Sequence, residues 1–180
     1  MKFTVIVNPA AHKGGARRTW PAIQAELTRR LGPFEPVFTA APGHATELAR
    51  SALAGGARRI IAVGGDGTVN EALNGMLDLA GRLTVADGVL CPVPNGTANE
   101  LCRALGHLAR PGLAFDAAAS TATRPIDLLR VRCTGLDGST VDRFGYLIVA
   151  LGLAATVSYR TSQSRWLKKL GGISYFLMSP

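Results

Sequence analysis

Two short stretches of this chain share one chemical pattern. Residues 67–71 read GTVNE and residues 96–100 read GTANE; each follows an apolar run and opens a helical one. Thr-x-x-Glu at a helix start predicts a capping box, in which the threonine oxygen takes an orphan amide and the glutamate reaches back. That reading covers Thr68, Glu71, Thr97 and Glu100. It leaves Gly64, Gly65 and Gly67, around Asp66, without a reason. Three glycines in four positions strip side chains from the point where a strand meets a helix, so backbone amides can approach an anion. The helix N-terminus adds partial positive charge suited to phosphate. Residues 64–68 are therefore expected to bind phosphate, and residues 94–99 form a second candidate. Neither is the G-x-G-x-x-G dinucleotide fingerprint, and no G-K-[ST] of the Walker loop occurs. A lone carboxylate would repel phosphates, so Asp66 fits if a magnesium ion or a hydroxyl group lies between them. The alternative is a turn residue bonded to its own backbone.

The elements that must position these turns alternate. Residues 3–7 (FTVIV) read as a buried strand, followed by a Gly-containing loop at 8–15. A helix follows, with Trp20, Ile23, Leu27 and Leu31 near one face. Residues 35–39 are a strand weakened by Pro36. Ala45, Leu48, Ala49, Ala52 and Leu53 fit the amphipathic helical spacing, as do Val69, Ala72, Leu73, Met76 and Leu77 after the strand 60–63. Residues 89–93 form another strand, and 99–105 begin a helix. This order implies a mostly parallel sheet covered on both faces, a Rossmann-like α/β domain over residues 1–123. Ligands of such sheets bind at the carboxyl ends of the strands, here the loops 8–15, 39–44, 64–68 and 94–99.

After residue 123 the rhythm changes. Leu129, Val131 and Cys133 alternate with Arg130 and Arg132, as in a half-buried strand, and Asp137-Gly138 is a hairpin dipeptide. Residues 146–150 and 153–159 read as further strands. Residues 124–180 thus look like the beginning of an antiparallel β-domain, with too few strands for a two-sheet sandwich to cover its core.

Composition narrows the classes. The chain has 180 residues, 47% of them hydrophobic and 18% charged, a globular balance rather than a disordered one. Cys91, Cys102 and Cys133 have neither metal-ligand nor disulfide spacing, which suggests a reducing compartment and three buried apolar roles. No secretory leader is legible, and the weakly polar stretch 144–157 is too short to span a bilayer. The net charge of +8 is uneven: +6 over residues 1–60, −3 over 61–120 and +5 over 121–180. Its scattered basic pairs match no nucleic-acid motif. They suit solvated helix faces, phosphates or an anionic membrane. Residues 164–178 mix basic and apolar side chains, as in a helix packed on the second domain or one resting on a bilayer. His12 stands in a ligand loop as a neighbour of phosphate, while His44 and His107 look structural.

Residues 63–75 (VGGDGTVNEALNG) closely resemble the GGDGT signature of the diacylglycerol kinase and sphingosine kinase catalytic domain. Asn8-Pro9 resembles that family's opening loop. Residues 92–105 (PVPNGTANELCRAL) are similar to its second signature, with Glu100 for the usual Asp and Cys102 for the usual Ala. The resemblance is strongest to the soluble bacterial diacylglycerol kinases. It implies a phosphofructokinase-like nucleotide domain, a lipid-binding β-sandwich, and transfer of the γ-phosphate of ATP to a lipid hydroxyl with Mg²⁺. ATP would lie against Asn8, Pro9, Ala10, Ala11, His12, Thr39, Gly64, Gly65, Asp66, Gly67, Thr68, Val69, Asn70, Glu71, Gly96 and Thr97. Asp66 would be the catalytic carboxylate, no residue is assigned as a dedicated metal ligand, and the enzyme would be cytoplasmic, resting peripherally on the membrane's inner face. The family's proposed base comes from a later D-G-E-type segment of the sandwich. Here no carboxylate follows Asp142, so the chain reads as C-terminally incomplete. An NAD kinase-like enzyme shares GGDGT but needs a different second motif. A non-catalytic module sensing nucleotide or anionic lipid is the third reading.

Overall fold

The computed structural model describes residues 2–110, 112–135, 137–150 and 155. By contact the chain divides into two units, Met1–Leu147 and Ile148–Pro180. Every element named below lies in the first unit.

Four strands, β1 (Phe3–Val7), β2 (Pro36–Phe38), β3 (Arg59–Gly64) and β4 (Val89–Pro94), form one all-parallel sheet in the order β2-β1-β3-β4. The helices are α1 (Ala16–Leu31), α2 (His44–Ala54), α3 (Asp66–Met76), α4 (Glu100–Ala104) and α5 (Leu113–Ala119). Successive strand residues face opposite sides, and the core splits accordingly. Ile6, Ile60 and Ala62 pack with Ala45, Ala49 and Leu53 of α2 and with Val69, Leu73 and Met76 of α3. Val5, Val7, Ile61, Val63, Cys91 and Val93 pack with Ile23 and Leu27 of α1 and with Ala118 of α5. All six residues of β3 are buried, as a central strand covered on both faces requires.

A second, antiparallel sheet follows. β5 (Leu129–Thr134) pairs with β6 (Thr140–Gly145), from Leu129↔Gly145 to Thr134↔Thr140. Its turn is closed by the Gly135 amide donating to the Ser139 carbonyl at 2.7 Å, with Gly138 at φ +81°. α3 holds this hairpin. Asn74 mimics a strand partner: its Nδ2 donates to the Phe144 carbonyl (2.8 Å) and its Oδ1 accepts the Phe144 amide (2.9 Å).

Four expectations need correction or placement. Residues 146–150 are not a strand, because Tyr146 turns its side chain into the core and Leu147 takes a left-handed backbone (φ +62°). Cys133 is exposed rather than buried, on a strand, β5, that is itself mostly exposed. α5 has no counterpart among the elements read from sequence, since its Ala-rich stretch offers little periodic contrast. The strand at 153–159 and the amphipathic stretch 164–178 lie outside the described residues, apart from Ala155.

Candidate active site

Register places the candidate loops side by side. Val7 of β1 is level with Phe38 of β2 and Val63 of β3, and Gly64 is level with Pro94 of β4. The ladder runs one residue further: the Asn8, Thr39 and Asn95 amides donate to the Val7, Val63 and Gly64 carbonyls of neighbouring strands, Asn8 to Val63 (3.0 Å), Thr39 to Val7 (2.9 Å) and Asn95 to Gly64 (2.9 Å). All four loops therefore leave the sheet on one rim. They enclose a cleft of about 360 Å³, the size class of small-molecule sites.

Of the residues expected from sequence, the structure brings Asn8, Ala10, Ala11, His12, Thr39, Gly65, Gly67, Thr68, Glu71, Gly96 and Thr97 to the wall of this cleft. Ala40, Ala41 and Pro42 also line it. They lie in the expected 39–44 loop, but their types carry no chemistry that would single them out. Five expected residues are not on the wall. Pro9 is half-buried, Gly64 is buried in β3, and Val69 is in the core. Asn70 turns to the hairpin, its Nδ2 donating to the Phe144 carbonyl at 2.9 Å. Asp66, the first residue of α3, directs its carboxylate to α4.

The glycines differ in purpose. A Cβ on Gly64 would stand 2.5 Å from the Thr68 hydroxyl, and one on Gly96 would collide with the Gly65 Cα. Gly64 makes room for Thr68 of its own turn, and Gly96 lets the β3 and β4 turns touch. A Cβ on Gly67 would meet nothing within 4 Å, and Gly67 is not at positive φ. Gly67 is exposed at the start of an eleven-residue helix that no side chain caps. The first-turn amides of α3 thus carry the helix dipole's positive end into the cleft.

The expected capping boxes do not form. α3 begins two residues before Thr68, so Thr68 lies inside the helix, buried, where its hydroxyl accepts the Asn8 Nδ2 at 2.9 Å. Asn8 closes its own loop by accepting the Ala10 amide on Oδ1 at 2.9 Å. At the second turn Asn99 takes a left-handed conformation (φ +54°) and braces Gly96 through its amide and carbonyl, displacing Thr97 from a capping role. The two acids of α3 instead cap other helices. Asp66 Oδ1 accepts the Glu100 amide at 2.7 Å, and Glu71 Oε2 accepts the Ala45 amide at 3.3 Å. One helix therefore anchors the 8–15 loop through Thr68, α2 through Glu71, and α4 through Asp66.

The diacylglycerol kinase catalytic domain matches residues 2–131. The chain belongs to the diacylglycerol kinase catalytic domain family. It is 32% identical over 174 residues to a diacylglycerol kinase of Staphylococcus haemolyticus, covering 96% of this chain and 48% of that protein. It is 31% identical over 109 residues to human sphingosine kinase 1, covering 60% of this chain and 28% of that protein. A solved diacylglycerol kinase structure from Bacillus anthracis str. Sterne superposes with a TM-score of 0.58 at 29% identity, over 71% of this chain and 44% of that one. The chain spans under half the length of these relatives. The four-stranded parallel sheet flanked by helices, followed by an antiparallel sheet, is the architecture expected of the family.

Membership makes a divalent ion relevant, so the donors matter. Among the described residues no cluster of three or more His, Cys, Asp or Glu could hold a metal alone. Asp66 offers one carboxylate, with Oδ1 engaged by α4 and Oδ2 without a hydrogen bond among the described residues. One carboxylate fits Mg²⁺ that takes its other ligands from phosphates and water. Behind Asp66, burial pushes the Cys102 thiol up to about 12, aided by the Asp66 charge, so it is a packed thiol rather than a nucleophile.

Proposed function

We propose that this chain is the nucleotide-binding part of an ATP-dependent lipid kinase, which passes the γ-phosphate of ATP to the hydroxyl of a lipid such as diacylglycerol. One observation carries the reading: the uncapped start of α3 opens into the cleft past Gly67, a glycine that neither packing nor backbone requires. An anion is the occupant that this arrangement favours.

ATP would extend across the rim, its phosphates toward the turn 64–68 and the rest toward His12, Thr39 and Glu71. The protein's share of the chemistry is alignment and charge compensation, since phosphoryl transfer needs little covalent help. The α3 amides would hold phosphate oxygens, and Asn8, locked by Thr68, would fix the opposite loop. Asp66, between the wall glycines Gly65 and Gly67 and with Oδ1 taken by α4, is the carboxylate we assign to the reaction; its Oδ2 would hold Mg²⁺. When bound, the ion screens charge that builds on the transferred group. The lipid acceptor would meet the phosphate from a membrane surface, with residues from 124 onward beginning the domain that receives it. Two features of the chain suit that setting: its net charge of +8, and the lack, among the described residues, of any helix long and apolar enough to cross a bilayer.

Mg-ATP is expected to raise the thermal unfolding midpoint of the chain by mass action. Asp66→Asn should reduce the rise when Mg²⁺ is present and leave it unchanged with ATP in EDTA. The absence of any rise with the wild-type chain would overturn the proposal.

A further inference from the structure

The turn that carries Asp66 is held from behind as well as from α4. Tyr146 is 8% exposed, and its hydroxyl donates to the Asp66 main-chain carbonyl at 2.8 Å. Asp66 is thus fixed at two separate atoms, its carboxylate by the Glu100 amide and its carbonyl by Tyr146. Neither contact uses the cleft face of the turn.

The chain bends sharply to deliver this hydroxyl. Tyr146 follows the last residue of β6, and Leu147 after it adopts φ +62°, a conformation that costs free energy for a bulky residue. Had the strand simply continued, successive side chains would have alternated across the hairpin and no such backbone would be needed. Attachment of the hairpin does not require the hydroxyl either. Asn70 and Asn74 already bond Phe144, and the Tyr146 ring shares the hydrophobic cluster that holds Val69 and Leu101. Packing explains an aromatic ring here; it does not explain why that ring ends in a donor aimed at a main-chain carbonyl of the phosphate turn. Burial and the nearby Asp66 charge push the tyrosine's pKa upward, so it stays a proton donor across the physiological range.

Resting on the lipid-kinase reading above, we infer that Tyr146 is a positioning residue for nucleotide phosphate, which fixes the turn 64–67 through the Asp66 carbonyl so that the α3 amides keep their aim when the cleft is empty. Preorganisation of this kind strengthens only the contacts that the turn makes. The effect must therefore fall on phosphates and spare the nucleoside.

The experiment is calorimetric titration of the 180-residue chain with Mg-ATP and, separately, with adenosine. Tyr146→Phe keeps the ring and removes the donor. It should weaken Mg-ATP about fivefold, the scale of one lost hydrogen bond, and leave adenosine within twofold of wild type. Amide exchange over residues 64–70 should quicken in the variant, while that over 140–145 stays unchanged. Tyr146→Met, which also lacks a donor, should reproduce the ratio. Mg-ATP affinity within twofold of wild type, or equal weakening of both ligands, would overturn the inference. Loss of the fold in both variants would overturn it too, since the tyrosine would then be a core residue only. A wild-type chain that binds no Mg-ATP would instead remove the kinase reading on which the inference stands.

Discussion

Gly67 and Gly96 both line the cleft, yet they are glycine for opposite reasons. Gly96 is small for its neighbour: an added methyl would collide with the Gly65 Cα. At Gly67 an added methyl would meet no protein atom within 4 Å, so on the proposed reading its size serves a ligand. The GTxNE pattern places both and cannot tell them apart, because one reason lies across the sheet and the other in the ligand. Substitution separates them. Gly96→Ala should cost roughly 1–3 kcal/mol of stability through overpacking. Gly67→Ala should gain stability, by about 0.4–1 kcal/mol, because its helical backbone suits alanine. The same methyl intrudes on the phosphate path, so Mg-ATP should bind roughly tenfold more weakly, about 1.4 kcal/mol. Denaturation midpoints and nucleotide titrations of both variants test this; a Gly67→Ala chain with undiminished affinity would mean that the glycine faces empty solvent.

At the scale of elements, what the sequence shows and what it hides divide by range. The strands and helices through α3 were legible because an apolar period reflects burial of the segment itself, as with Ala45, Ala49 and Leu53. The capping boxes were misread for the same reason: Thr68 and Glu71 have the right local spacing, but distant partners, Asn8 and Ala45, engage them first. α5 was hidden because part of what holds it is remote. Arg59 of β3, itself buried, donates to the carbonyls of Ala118 and Ser120 at the helix's end. The 39–44 loop was placed correctly by strand order alone, although Ala40 and Ala41 announce nothing. The short helix α4 gives an element-scale prediction. His107 lies just beyond it, half-buried, with Nδ1 buried and lacking a partner among the described residues. Burial lowers its pKa, against a smaller upward pull from the Pro92 backbone. Between that lowered value and the ordinary one near 6.5, the unfolded chain binds the extra proton, so stability rises with pH through this window and is lost as pH falls below about 6.5. Asp116, held low chiefly by Arg30, acts only in a more acidic window. The unfolding midpoint should therefore fall between about pH 7 and pH 5.5, and His107→Gln should flatten that slope. An unchanged slope would show that the imidazole is not desolvated.

For the whole molecule, the charge pattern tells where the chain meets its surroundings. The +6 of residues 1–60 is only partly spent within the fold: Arg29 and Arg30 pair with Glu26, Arg30 also with Asp116, and Arg58 with Asp87. Arg17, Arg18 and Arg50 are exposed and form no ion pair among the described residues. Arg17 and Arg18 lie in the first turn of α1, where the helix dipole disfavours positive charge and no acid offsets it. Cations kept there at a cost, directly after the loop that lines the cleft, would on the proposed function face an external anion. On the proposed function the protein would have two anions to meet, the phosphates of ATP and the headgroups around its lipid substrate. Attraction to an anionic surface is worth about 1 kcal/mol per basic residue near it and is screened beyond a Debye length of roughly 10 Å at 0.1 M salt. The chain should then sediment with phosphatidylglycerol-containing vesicles and not with pure phosphatidylcholine vesicles. Raising the salt to about 0.5 M should release it, and Arg17→Glu with Arg18→Glu should weaken the retention at low salt. Equal retention on both vesicle types would assign the binding to apolar contact instead, and the basic face of α1 would then serve the nucleotide alone.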